Sequence, residues 1–419
     1  MEFDLGFGAC TQRLSVPDEN LACVLLPNSV PPGLTGAKEV ARALQSPIGT
    51  PRLRQIVRAG EKIAIVTSDI TRPLPSDVIL PLLLDELKEA GVSKEDITIV
   101  FGLGSHRKQT PEEQQKLVGK AVYAEIRCID GDDSDCVHYG VTRRGTPVDI
   151  VRAVAQADRR ICLGNIEYHY FAGYSGGAKA IMPGVSTRAA IQANHSRMVE
   201  AAAAAGRLEG NPVREDIEEA ACMVGVDFIV NVVLDEHKRI VRAVAGDVAL
   251  AHREGCRYLD GLYGKPIADR ADIVVVSQGG APKDLNLYQT QKALDNARHA
   301  VKKGGVIVLV GSCREGLGER VFEEWMTRSP DAHSMIGRIR TDFQLGGHKA
   351  AAIAMVLEDA EVYLVSELEA AVVERIFLRP FSHVQAAFDA ALARCGADAS
   401  VLVMPYGGST LPLFSENRQ

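Results

Sequence analysis

Long hydrophobic runs are missing from these 419 residues: no stretch of about 20 consecutive apolar residues occurs, which excludes a membrane-spanning helix. The opening MEFDLGFGACTQRL lacks a basic segment followed by an apolar one, so no secretory leader is expected. Positive charge is in deficit. The 47 Lys and Arg against 54 Asp and Glu leave a net charge of −7, which argues against a nucleic-acid or anionic-membrane partner. Paired cysteines are also absent. The nine cysteines are scattered, odd in number and never spaced CxxC, a pattern that suits buried thiols in a reducing compartment better than disulfides or a cysteine-ligated zinc. A cytoplasmic protein is expected. No Walker A, HExxH or GxSxG motif occurs. The near miss at Gly102-Leu103-Gly104-Ser105-His106-Arg107 lacks the third glycine of GxGxxG, so no nicotinamide dinucleotide is expected.

What is present is ordinary globular material: 46% hydrophobic and 24% charged residues, in a chain long enough for two or three domains. Leu5–Pro17 and Asn20–Pro27 read as short strands, followed by a helix near Thr35–Leu44. Apolar runs at Lys62–Ser68, Asp96–Gly104 and Arg160–Asn165 read as buried strands, and Pro75–Ala90 and Thr110–Leu117 as amphipathic helices between them. Val226–Val233 and Arg239–Val244 read as a hairpin added to that sheet, followed by a helix over Val248–Leu262. A second αβ series opens at Asp272–Ser277. It continues through helix Tyr288–Val301, strand Gly305–Gly311, helices near Glu319–Met326 and His348–Leu357, and strands Val362–Val365 and Ser400–Met404. The fold class is therefore α/β with two domains, each a mostly parallel sheet flanked by helices, and with the active site expected in the cleft between them. The expected boundaries are 1–270 for the first domain and 271–404 for the second, with a tail, 405–419, returning to the first.

In doubly wound sheets, ligands bind beyond the carboxyl ends of the strands, and four polar clusters follow such ends. Ser68-Asp69-Ile70-Thr71-Arg72-Pro73 offers a carboxylate, a hydroxyl and a guanidinium able to grip a carboxylate or phosphate. The alternative is helix capping by Asp69 or Thr71 with an internal Asp69–Arg72 ion pair. His106 closes the second cluster, as an acid/base candidate or as a structural histidine. The third, Glu167–Gly184 with its extension to His195, carries His169, Lys179 and His195 among small residues, including Gly173, Gly176, Gly177 and Gly184. Lys179 there is a candidate nucleophile of lowered basicity, and His195 a candidate metal ligand whose other donors must come from elsewhere. Three readings stay open on residue types: a nucleophilic enzyme, a Schiff-base lysine acting on a carbonyl substrate, or a non-catalytic loop holding a phosphorylated small molecule. The fourth cluster, Pro282–Lys292, places Gln289 and Lys292 on one helix face, with Asp284 or Asn286 capping; a merely solvated lysine is the alternative. Cys256, four residues after His252, reads as packing.

Together, SDITRP (68–73), GSHR (104–107), HYFAGYSGGAKAIMPG (169–184) with His195, and PKDLNLYQTQK (282–292) resemble the lactate racemase family, the nickel-pincer 2-hydroxyacid racemases and epimerases. The resemblance spans most of the chain in order. It implies a pyridinium-3-thioamide-5-thiocarboxylic acid mononucleotide carrying nickel, attached at Lys179, with His195 as the protein's nickel ligand. It further implies His106 and His169 as the acid/base pair and Asp69, Thr71, Arg72, Gly177 and Gly184 around the cofactor. Arg72, Gln289 and Lys292 then contact a small 2-hydroxy acid, and cofactor-maturation proteins are implied as partners. The chain departs from the pattern in one place. The family's lactate racemases carry a tryptophan near the active site in domain two, whereas the single tryptophan here, Trp325, falls too early, and Phe343 or His348 occupies that neighbourhood. A larger or more polar 2-hydroxy acid than lactate is consistent with that change.

Overall fold

The computed structural model describes residues 1–30 and 33–414. The chain forms two compact units, residues 29–261 and residues 1–28 together with 262–419.

In the unit of residues 29–261, strands Ile240–Gly246, Phe228–Leu234, Arg159–Asn165, Ile63–Ser68, Ile97–Gly102 and Arg127–Asp130 lie side by side in that order. All pairings are parallel except the first, which is the expected hairpin. IAIV at 63–66 is an unbroken apolar run because helices cover both faces of a parallel sheet. Helix Ser76–Glu89 turns Ile79, Leu80, Leu83 and Leu87 inward, at the spacing that keeps one face of a helix together, onto Ile63, Ile65, Ile99 and Phe101. Truncating one of these leucines to alanine costs about 2–5 kcal/mol. The sheet grows from Ile63–Ser68 first toward Ile97–Gly102 and Arg127–Asp130. It then switches to the other side with Arg159–Asn165. The switch point therefore sits at the carboxyl ends of strands 63–68 and 159–165, where doubly wound sheets hold their ligands.

The second unit is a wholly parallel six-stranded sheet, ordered Arg379–Phe381, Ala360–Val365, Val301–Val310, Ala271–Ser277, Val401–Met404, Leu21–Val24. One face packs on helix Val384–Cys395 through Val384, Ala387, Phe388 and Ala391, with Leu5 and Leu14 joining from an N-terminal hairpin. The opposite side chains of the same strands, Val274, Val276, Ile307 and Leu309, are equally buried; helix Leu287–Ala297 packs against these strands and helix Gly347–Leu357 against their neighbour Ala360–Val365.

Three expectations are corrected. Residues 1–28 do not join the first domain: Leu21–Val24 pairs in parallel with Val401–Met404, closing an edge that would otherwise leave its backbone unpaired. The boundary accordingly falls at 261/262 rather than 270. The tail does not return to the first domain either. Leu411–Phe414 pairs with Gly264–Ile267 inside the second unit, and the remaining tail residues of that expectation, 415–419, lie outside the described residues. Leu5–Pro17 is not one strand but the end of the first strand, the turn and the second strand of a hairpin, Glu2–Phe7 with Cys10–Ser15, turned at Gly8 with φ +56°. Among the described residues no helix is long and apolar enough to cross a membrane.

Candidate functional site

The turn after strand 63–68 folds onto the one after strand 97–102. Asp69 is buried, and one carboxylate oxygen accepts the His106 Nδ1–H at 2.6 Å while the other accepts the Thr71 hydroxyl at 2.7 Å. The Ile70 N–H donates to Gln109 Oε1 at 2.8 Å, a second tie between the two turns. Burial alone would raise the Asp69 carboxyl. The hydrogen bond and charge of His106, the Thr71 hydroxyl and Arg72 outweigh it and hold the group below the usual carboxylate range. The capping alternative fails, because helix Ser76–Glu89 begins after Pro75 and Asp69 binds His106 rather than Arg72. Because a carboxylate can only accept, the neutral His106 ring carries its lone pair on Nε2. A cavity of about 170 Å³ opens beside this turn, walled by His106, Arg107, Lys108, Arg188 and the main chain of Gly104 and Gly184.

After strand 159–165 the chain forms a small ladder, Tyr168–His169 against Gly173–Tyr174, and then a single 3-10 turn, Gly177–Ala180, that carries Lys179. Phe171 is the hub. Its ring meets His169 edge-on at 4.5 Å and His195 at 4.9 Å between centroids, and Lys179 Nζ stands 5.8 Å over it. His195 ends helix Arg188–His195, is 6% exposed, and gives its Nδ1–H to Asn194 Oδ1 at 2.9 Å, which leaves the lone pair of the neutral ring on Nε2. His169 Nδ1 receives a long contact, 3.3 Å, from the Ala172 N–H. Burial, reinforced by Lys179, Arg72, His195 and Arg214, pushes the His169 imidazole well below its ordinary value. Burial likewise takes the Lys179 ammonium well below its ordinary value, with Arg214 and Arg72 adding to the shift and Glu167 opposing it.

Two of the glycines make room for the chain's own backbone. A Cβ on Gly173, at φ +77°, would meet the Arg207 carbonyl oxygen at 2.0 Å, and one on Gly184 would meet that of Ala180 at 2.2 Å. Both positions are filled by the chain's own backbone, so the missing Cβ admits protein rather than ligand. Gly184 also accepts the Gly104 N–H at 2.9 Å, which binds the central segment to the His106 turn, and the Gly177 N–H donates to Asn231 Oδ1 at 2.7 Å.

Residues 69–72, 104–107 and 167–195 are thus gathered at one end of one sheet. Gln289 and Lys292 lie in the other unit, both exposed and three residues apart on helix Leu287–Ala297, which Asn286 caps. Asp284 is no cap: its carboxylate accepts the N–H groups of Gly8 and Ser312. Lys349 Nζ donates to the Tyr288 carbonyl at 2.6 Å and sits 4.0 Å over its ring. Trp325 is a core residue, covered by Arg338 at 4.1 Å, whereas the Phe343 and His348 rings stand 5.5 Å apart, Phe343 before helix Gly347–Leu357 and His348 in its first turn. Cys256 is buried with its thiol pushed up well beyond the ordinary value, and His252 Nε2–H is bound to the Ser175 carbonyl at 2.8 Å, so this pair packs and does not react.

Sequence reasoning missed Asn194, Asn211, Arg214 and Asn231. Asn211-Pro212 was a readable helix start, since Asn211 Oδ1 accepts the N–H groups of Val213 and Arg214. Nothing in sequence marked Arg214 as buried. Among the described residues no three His, Cys, Asp or Glu side chains group closely enough to hold a metal by themselves.

Residues 7–206 match the family model for the lactate racemase N-terminal domain, and residues 267–411 the one for the lactate racemase C-terminal domain. The chain is 32% identical to the lactate racemase of Thermoanaerobacterium thermosaccharolyticum over 420 residues, covering 97% of this chain and 98% of the relative. It is 32% identical to that of Lactiplantibacillus plantarum, covering 96% and 98%. The structure of the lactate racemase apoprotein from T. thermosaccharolyticum superposes with a TM-score of 0.88 at 32% identity, over 99% of this chain and 100% of the other. A protein from Thermotoga maritima, at 16% identity and a TM-score of 0.64 over 93% and 100% of the chains, shares the fold.

Proposed function

Because this chain belongs to the lactate racemase family and is an isomerase of the racemase class, we propose that it inverts the hydroxyl-bearing carbon of a small 2-hydroxy acid. In this reading it uses a nickel-pincer mononucleotide joined at Lys179, with His195 as the protein's nickel ligand. The observation that carries the reading is the convergence of His169, Lys179 and His195 on the Phe171 ring.

The residues present fit such a group. A metal bound by one imidazole needs its remaining donors from a bound molecule, which agrees with the lack, among the described residues, of any three His, Cys, Asp or Glu side chains grouped closely enough to hold a metal by themselves. Two buried donor atoms near the segment, Asn231 Nδ2 and one Nη of Arg214, have no hydrogen-bond partner. When bound, the group supplies a hydride acceptor and donor for the substrate Cα, a step no histidine can perform on so weak a carbon acid.

The chain's own work is proton transfer at the substrate oxygen and orientation of the carboxylate. His169, uncharged at neutral pH, takes the hydroxyl proton of one enantiomer. His106, fixed by Asp69 through Nδ1, exchanges the proton through Nε2 for the opposite enantiomer. Arg72 grips the substrate carboxylate, Gln289 and Lys292 are the further substrate contacts that the family pattern assigns, and Asp69, Thr71, Gly177 and Gly184 border the cofactor. The cofactor arrives through maturation proteins.

The test is co-expression with such maturation proteins, followed by mass analysis of the Lys179 peptide, nickel determination, and assay of lactate, malate, 2-hydroxyglutarate, aromatic and sugar acids. A nucleotide mass on Lys179, stoichiometric nickel and inversion of one acid are expected. An unmodified Lys179 without nickel overturns the reading.

A further inference from the structure

Helix Pro212–Val224 contains none of the sequence motifs, yet its first turn holds the central segment in place. Asn211 Nδ2 donates to the Phe171 carbonyl at 2.9 Å, Arg214 Nε to that of Ala172 at 3.1 Å, and an Arg214 Nη to that of Tyr174. The same turn holds the His195 helix, because Asn194 Nδ2 donates to the Val213 carbonyl at 3.1 Å and to Asp216 Oδ2 at 2.7 Å.

Arg214 is fully buried, and its nearest carboxylate, Glu218, is 4.0 Å away. Burying a cation without a close counter-ion is costly, and an apolar side chain of similar volume fills such a site at lower cost. Backbone stapling by neutral donors, as Asn211 provides, needs no charge. The charge itself therefore calls for a purpose. Burial lowers the proton affinity of the guanidinium, but an arginine remains charged far above neutral pH.

We propose that Arg214 is a positioning residue for the Lys179 amine: by stapling the carbonyls on both sides of Gly173, it sets a permanent positive charge behind the Lys179 turn that keeps the amine uncharged and nucleophilic. This rests on the reading of Lys179 as the point of cofactor attachment. The elements packed on the turn are strands 159–165 and 63–68 and helix 212–224. The charged groups that reach Lys179 from just beyond them, or within them, are Glu167, Arg72 and Arg214. His252, whose ring lies under Gly177, is uncharged, its imidazole pushed down to about 3 by burial and by Arg214. Two cations against one carboxylate leave the balance positive, and Arg214 is the buried one of the two, where charge is least screened.

The experiment is reductive methylation of the full chain, without cofactor, by formaldehyde and cyanoborohydride at pH 6 to 10. Modification of Lys179 and of exposed Lys303 is followed by peptide mass spectrometry. In the wild type, Lys179 is expected to be methylated about a hundredfold faster than exposed Lys303 at pH 7. R214M is expected to raise the Lys179 midpoint by a unit or more, about a tenfold slower reaction at pH 7, while R214K stays within threefold of wild type. A merely structural role would disturb folding without this charge-dependent order. An unchanged midpoint in R214M overturns the proposal. If R214M does not fold, the wild-type profile decides, and Lys179 titrating together with Lys303 overturns it. Failure of the functional reading looks different: the methylation profile stands, and no nucleotide is found on Lys179 after co-expression.

Discussion

The two histidines proposed for proton transfer stand in opposite electrical surroundings. His106 has a buried carboxylate against its Nδ1, with the Thr71 hydroxyl bracing that carboxylate from the far side. His169 faces Lys179, Arg72, His195 and Arg214 and has no carboxylate partner among its described hydrogen bonds. One imidazole is placed where an acceptor orients it, the other where a second positive charge is resisted. The difference teaches that such a pair need not be two copies of one device. His169 is held uncharged, while His106 is held in direction.

The largest expected effect comes from removing the group both corners serve. Lys179→Ala abolishes covalent attachment, and racemisation falls by more than about a thousandfold. The check is the mass of the 167–184 peptide beside the rate. Next, His169→Gln and His106→Gln each lower turnover by about 10²–10⁴-fold while nickel content is retained. A variant that loses nickel as well would show that its histidine holds the cofactor, which breaks the comparison. Asp69→Asn keeps a partner on His106 but removes the carboxylate, and about 10–100-fold in turnover is expected to go with it. Lys292→Ala raises the substrate KM about tenfold with normal loading, as expected when one charge-assisted contact of about 1.4 kcal/mol is lost.

The smallest effect is on stability, and its sign differs between the corners. His169 and His252 have folded values below the unfolded one, near 6.5, so the unfolded chain takes up protons first and stability falls as pH drops below about 6.5. Asp69, lowered in the fold, stabilises above the unfolded carboxyl value near 4, and that contribution is lost only as pH falls further. Urea unfolding midpoints measured from pH 8 to 4 should therefore hold down to about pH 6.5 and decline below it for wild type. The decline should be shallower in His252→Gln and unaltered there in Asp69→Asn.

Most central sheet strands, several flanking helices and the four polar clusters were legible, because each rests on local pattern: apolar runs of strand length, helical spacing, and polar residues directly after strand ends; edge strands Arg127–Asp130 and Arg379–Phe381 and helices Pro212–Val224 and Val384–Cys395 were not read. Ile63–Ser68, Ile97–Gly102, Ala271–Ser277 and the hairpin ending at Gly246 came out where periodicity put them. Three things were decided only in three dimensions. Leu21–Val24 joins the second sheet across nearly 380 residues because the open edge at Val401–Met404 is paired there, and strand pairing at that range leaves no local trace. Asp69 was read as a possible cap or ion-pair partner of Arg72, and only the folding of one turn onto the other gave its carboxylate to His106. Arg214 sits in a helix of unremarkable sequence and becomes a buried charge in an element packed on the Lys179 turn only because three backbone carbonyls of a distant segment close over that helix's first turn. Local pattern determines which elements form and where polar groups cluster. Which charge faces which is a matter of through-space distance, and only the packed chain sets that.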